Sequence, residues 1–156
     1  SNGIDNVTFQ IETNKGSGFE SIGKIASGGE LSRIMLAIKV SLSSDISDVN
    51  TRKTLIFDEV DTGVGGAVAD AIGKRLLLLG ANNQVLAVTH HPQVAARSNN
   101  HFKVNKSTNN SFTSTSIINL EVKERIEEVA RMLSGEKITD AARNAAESLF
   151  INSKSL

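Results

Sequence analysis

The sequence contains no cysteine. That excludes a disulfide framework and a thiolate metal site, and it suits a reducing compartment. No run of about 18 apolar residues occurs, so no segment reads as a membrane-crossing helix. An excess of charge of one sign is missing too. Lys+Arg and Asp+Glu both number 17, for a formal net charge of zero. The chain therefore lacks the overall basic balance of a nucleic-acid module. No secretory leader opens it. It begins at Ser1-Asn2 rather than Met, and the expectation is a segment cut from a longer protein. Internal repeats, low-complexity stretches and a long heptad pattern are absent as well.

What is present suits one globular domain. The 156 residues are 39% hydrophobic and 22% charged, enough for a single core. Val7, Phe9 and Ile11 alternate with polar residues, which predicts a half-buried strand over 7–13. Asn14 to Gly18 reads as a turn. A helix is expected from Ser27, with Leu31, Ile34, Met35, Ile38 and Leu42 on one face. Ser43 to Asn50 reads as a loop.

Thr54 to Phe57 and Val85 to Val88 are short apolar runs, predicted as parallel strands buried on both faces. Between them Val68, Ile72, Leu76 and Leu79 mark a helix ending near Gly80, which completes a βαβ unit. Phe102 to Val104 and Phe112 to Ile118 read as an antiparallel pair around a turn at Ser107 to Ser111. Two helices are expected at the end. The first carries Val122, Ile126, Val129, Ala130 and Leu133, with Glu121 and Glu124 in its first turn and Gly135 just past it. The second spans Thr139 to Phe150. The fold class is thus α/β, a partly parallel sheet with flanking helices, in one unit over 1–156.

Three places can carry chemistry. Ser27-Gly28-Gly29-Glu30 has the spacing of a capping box. The plain alternative is a well-capped helix start. Two glycines in a first turn cost helix stability, however, and they leave the backbone N–H groups open to a phosphate. Asp58-Glu59 follows the first apolar run, where ligands gather at the carboxyl ends of α/β strands. One acid there can hold Mg²⁺ and the other can deprotonate an attacking water. Two solvated acids are the plain alternative. His90 follows the second run and emerges at the same edge, able to hydrogen-bond a phosphate. A metal site of Asp58, Glu59, His90 and His91 ranks below this reading, because adjacent strand-end residues rarely both turn toward one ion. Gly18 to Lys24 matches G-x-x-x-x-G-K, but Ile25 stands where a phosphate loop needs a hydroxyl, and the helix starts too late.

In that order the motifs resemble the ABC ATPase superfamily: Ser27 to Glu30 the signature, Leu55 to Glu59 Walker B, Val60 to Gly66 the D-loop, His90 the switch histidine. The wider segments Ile25 to Ala37, Phe57 to Gly63, Thr89 to Ala95 and Ala130 to Gly135 are similar to SMC-related ATPases of bacterial DNA repair. The resemblance implies the C-terminal lobe of an ABC-type ATPase head, with a signature helix and a C-terminal helical pair. The Walker A half and the coiled coil would lie elsewhere. It implies ATP and Mg²⁺ as cofactors. It implies three partners: the N-terminal Walker A half, a second head in an ATP-dependent dimer, and DNA. It implies no membrane partner and a cytoplasmic, nucleoid-associated location. On this resemblance Asp58 supports Mg²⁺, Glu59 is the general base and His90 senses the γ-phosphate. Ser27, Gly28, Gly29 and Glu30 serve the partner head's ATP, and Asp61 reports across the interface. The alternatives are a head from another SMC-like or transporter ATPase, or a non-catalytic interaction module.

Overall fold

A computed structural model describes residues 3–12, 15–24, 27–43, 53–109, 112–135 and 137–153. The expected βαβ unit is present. Strand β3 (Thr54–Phe57) leads through helix α2 (Gly66–Gly80) to strand β4 (Gln84–Ala87). The two strands pair in parallel, Thr54 opposite Gln84 and Phe57 opposite Ala87. Ahead of them lie β1 (Gln10–Ile11), β2 (Glu20–Ser21) and helix α1 (Gly28–Ser43). A short helix α3 (Pro92–Ala96) follows β4. Then come the antiparallel hairpin β5 (Phe102–Asn109) and β6 (Phe112–Asn119), and the helical pair α4 (Val122–Ser134) and α5 (Asp140–Ser153).

Two cores hold these elements. Leu36, Phe57, Val60, Ala69, Ile72, Leu76, Leu79 and Val94 form the first, between α1, α2, α3 and the parallel pair. The second joins Ala95 to Val129, Ala130, Ala142 and Ala146, so α3 is the wedge between the βαβ unit and the helical pair. Its small residues let the helices approach closely. Periodicity did not reveal α3, although Pro92 at its first position is a helix-start signal.

Several expectations need correction. Residues 7–12 do not form a continuous strand, and Thr13, the last of the predicted strand, lies outside the described residues. Only Gln10 and Ile11 pair, with Ser21 and Glu20, and Val7 and Phe9 stay exposed because nothing among the described residues packs on them. The parallel strands are covered on one face only. Ile56 is 70% exposed and its register partner Leu86 is 44% exposed, with Val88 on the same side. Helix α1 buries Leu36 and partly Val40, whereas of the predicted stripe Ile34 is half-buried and Leu31, Met35, Ile38 and Leu42 are exposed. The predicted stripe is therefore the helix's free side. A helix apolar nearly all round is one meant to be covered all round. The hairpin runs longer than expected: Ser107 and Thr108 pair with Ser114 and Thr113, and their hydroxyls hydrogen-bond across the strands. The predicted loop after α1 lies, from residue 44 on, outside the described residues.

The helical pair follows its sequence signals. Glu121 is the N-cap of α4, and its N–H donates to Glu124 Oε2 at 2.8 Å. Gly135 caps the end at φ 78°. Thr139 caps α5 through the Ala142 N–H at 3.2 Å. An ion cluster fixes the hairpin to α4: buried Glu128 accepts from Lys103 and from Arg131 Nη2, the latter at 2.6 Å. Nearby, Arg125 donates to the Asn99 carbonyl at 3.0 Å and stacks over Phe150.

This cluster predicts acid lability. Burial pushes the Glu128 carboxyl up, but the hydrogen bonds from Arg131 and Lys103 outweigh it and hold it below its ordinary value of 4.5. Burial, with Arg125 and Lys103 beside it, holds His101 below its ordinary 6.5. Both groups take up protons more readily when unfolded. Their stabilisation is complete above the unfolded values and is lost as pH falls toward the folded ones. Denaturant midpoints should therefore decline below about pH 6.5 and again below about pH 4.5. Glu128→Gln should shrink the second decline, to which Asp70, held low by its hydrogen bond from Arg97, also contributes, and should cost about 2 kcal/mol at neutral pH by weakening charge-assisted hydrogen bonds. A flat profile from pH 7 to pH 4 would contradict this.

Candidate active site

The site is built where α1 meets the carboxyl ends of β3 and β4. Ser27 starts α1, and the Glu30 N–H reaches its Oγ at 3.4 Å. The N–H groups of the first turn are flanked by Gly28 and Gly29 rather than by blocking side chains. Phe57 anchors the end of β3 in the core, and the chain then turns abruptly. Asp58 and Glu59 are exposed, while Val60 and Asp61 are buried at 0% and 1% exposure. Glu59 is in the left-handed region at φ 57°, alone among the described non-glycine residues. That conformation costs roughly 1–2 kcal/mol for a residue with a Cβ, so the surrounding contacts must impose it.

Those contacts come largely from α1. Ser32 Oγ donates to the Asp58 carbonyl at 2.9 Å, and Arg33 Nη1 donates to the Thr62 carbonyl at 3.0 Å. Within the turn, the Thr62 N–H donates to the Glu59 carbonyl at 3.1 Å. The Glu59 carboxylate lies against the start of α1, where a Cβ on Gly28 would stand 2.9 Å from its Oε2. Glu59, the general-base candidate, is therefore a neighbour of Gly28 and Gly29 within one chain.

His90 arrives from β4. The Val88 N–H donates to the Phe57 carbonyl at 2.9 Å, so the two strand ends stay in step. Thr89 Oγ1 donates to Asp61 Oδ2 and accepts the His91 N–H at 3.0 Å. His90 Nδ1 lies 3.8 Å from Asp61 Oδ1, with its ring largely exposed. Asp61 faces Thr89 and His90 of its own chain, and its Oδ1 accepts no hydrogen bond. His91 packs on His90, ring centroids 4.5 Å apart.

All the residues singled out by motif thus gather at one edge: Ser27, Gly28, Gly29 and Glu30 on α1, Asp58, Glu59 and Asp61 after β3, and His90 after β4. Ser32, Arg33 and Thr89 join them without having been assigned a role. The available signal was their position, one turn along α1 from the glycines and one residue before His90. The P-loop imitation takes another form. Glu20–Ser21 is strand, Ile22–Lys24 is a 3-10 turn, and α1 begins only at Gly28.

Among the described residues no three acid or histidine side chains group as a metal cluster. Mg²⁺ in phosphate sites takes one or two carboxylates and keeps water and phosphate as its other ligands. Exposed Asp58, at a strand's carboxyl end, has the donor chemistry for that.

No protein-family model matches the chain. It is 46% identical over 148 residues to DNA repair protein RecN of Rickettsia bellii, 47% over 149 residues to that of Xylella fastidiosa strain 9a5c, and 45% over 148 residues to that of Bacillus subtilis. These alignments take in 95%, 96% and 95% of this chain but only 26%, 26% and 25% of the relatives. By shape it is similar, at TM-score 0.50 and 14% identity, to a solved chain described under "Structural biochemistry of ATP-driven dimerization and DNA stimulated activation of SMC ATPases". That match covers 78% of this chain and 70% of the other. By sequence the chain is therefore similar, over nearly its whole length, to a segment that makes up about a quarter of these RecN relatives, and its α/β fold is like that of the solved chain.

Proposed function

We propose that the chain is the C-terminal part of an SMC-like ATPase head, which hydrolyses ATP between two engaged heads during recombinational repair of DNA double-strand breaks. One observation carries the reading: the parallel strand ends bring Asp58, Glu59 and His90 to a single edge beside the first turn of α1. Two half-sites meet there. Glu59 takes the proton of the attacking water. His90 donates a hydrogen bond to the γ-phosphate as charge builds on it. Asp58 would hold Mg²⁺, which neutralises charge on the β- and γ-phosphates when bound. Ser27, Gly28 and Gly29, with Glu30 behind them, receive the γ-phosphate held by the partner head. Asp61 links the D-loop to Thr89 and His90 in its own chain, so its report to the partner passes through the D-loop backbone.

The nucleotide for Glu59 would be cradled by an N-terminal Walker A half. The bare side of α1 and the open face of β3–β4 are what such a half would cover. DNA contact, the head dimer and a cytoplasmic, nucleoid-associated setting complete the proposal. No helix among the described residues is long and apolar enough to cross a membrane. The test is ATP turnover by this chain alone and when joined to the rest of the protein.

A further inference from the structure

We infer that Ser32 and Arg33 are positioning residues that lock the general base's strained turn to the helix receiving the partner's γ-phosphate. The inference rests on the ATPase reading above.

The turn 59–62 needs a holder, because it opens on Glu59 at φ 57°. Its inner side is fixed by Val60 and Asp61 in the core. Its outer side is gripped at both ends by two consecutive residues of α1. Ser32 holds the carbonyl just before Glu59, and Arg33 holds the carbonyl that closes the turn. Gly29 makes that grip possible. A Cβ there would stand 3.1 Å from Arg33 Nη1 and 3.2 Å from the Glu59 and Thr62 carbonyl oxygens. The first turns of α1 and the turn of the base thus form one rigid piece.

The consequence is a link between two ATP sites. The N-terminus of α1 faces the partner's nucleotide, and Glu59 serves the nucleotide in cis. Any shift of α1 on gaining a phosphate is handed to the base through Ser32 and Arg33. A charged donor suits this role, since its hydrogen bond to a carbonyl is stronger than a neutral one.

The experiment uses the complete protein with Arg33→Ala, Arg33→Lys and Ser32→Ala. Arg33→Ala should lower kcat by about tenfold or more while KM changes less than about twofold, the pattern of an interaction that matters in the transition state. Cooperativity in ATP concentration should fall with it. Arg33→Lys should recover most of kcat, since a single bond to one carbonyl is within an ammonium's reach. Ser32→Ala, which removes one hydroxyl, should lower kcat in the same direction with an unchanged thermal midpoint. Parental kcat and cooperativity in both alanine variants would overturn the inference. So would a loss that Arg33→Lys fails to recover, or one that appears only as unfolding. Glu59→Gln in parallel separates the two claims. If it keeps parental turnover, the catalytic reading fails. If it is inactive while both alanine variants are parental, only the positioning role fails.

Discussion

Glu59→Gln in the complete protein should reduce ATP turnover by roughly 10²–10⁴, the range set by loss of a general base, or about 3–5 kcal/mol of barrier. The swap keeps size and hydrogen-bonding reach but removes the proton acceptor. It should leave the fold intact, because glutamine takes the left-handed conformation of Glu59 no worse than glutamate does. Surface substitutions of this kind stay within about 0.5 kcal/mol. Nucleotide binding should survive, since Asp58, His90 and the start of α1 are untouched. Binding without hydrolysis should then accumulate an ATP-bound head pair, visible by size-exclusion chromatography or scattering with ATP present. Parental turnover would remove Glu59 from the role of base. A monomeric, ATP-free variant would contradict the two-head part of the proposal.

Gly29→Ala should lower turnover by about 100-fold, a loss typical of displacing a catalytic group by about an ångström. The added methyl meets two backbone carbonyls, those of Glu59 and Thr62, each at 3.2 Å. Backbone cannot swing aside like a side-chain tip, so α1 and the turn of the base must part. Stability should change far less. Alanine gains up to about 1 kcal/mol of helix propensity over glycine, which offsets part of an overpacking cost of about 1–3 kcal/mol. The measurement is kcat beside the denaturant midpoint. Gly80→Ala, where a Cβ meets nothing within 4 Å, is the control and should leave turnover unchanged. Parental turnover in Gly29→Ala would show that the close approach is not functional.

Much of this site was legible in the sequence, for local reasons. Asp58, Glu59 and His90 each follow an apolar run, and parallel pairing carries the ends of such runs to one edge. Ser27-Gly28-Gly29-Glu30 combines a capping residue with glycines that a stable helix would avoid. Three features were not legible. The environment of buried Asp61 depends on Thr89, 28 residues away and just past β4, and no local pattern encodes that. The grip of Ser32 and Arg33 depends on how α1 lies across the turn after β3, which periodicity alone does not give. The buried side of α1 was misassigned because apolar residues ring the helix. Leu36 is buried, while Leu31, Met35, Ile38 and Leu42 fit the helical period equally well and remain exposed. The strands were expected to be covered on both faces for the same reason. Ile56, Leu86 and Val88 have the composition of a fully buried sheet, and the chain spans about a quarter of its relatives' length.

The central claim is that this chain brings half of an ATPase site. The most direct measurement is Mg²⁺-dependent ATP turnover by the isolated chain, and by the same chain joined to the remainder of the protein. The account predicts background turnover for the isolated chain, and turnover in the joined protein that Glu59→Gln abolishes. Tight MgATP binding and turnover by the isolated chain, lost on Glu59→Gln, would contradict it.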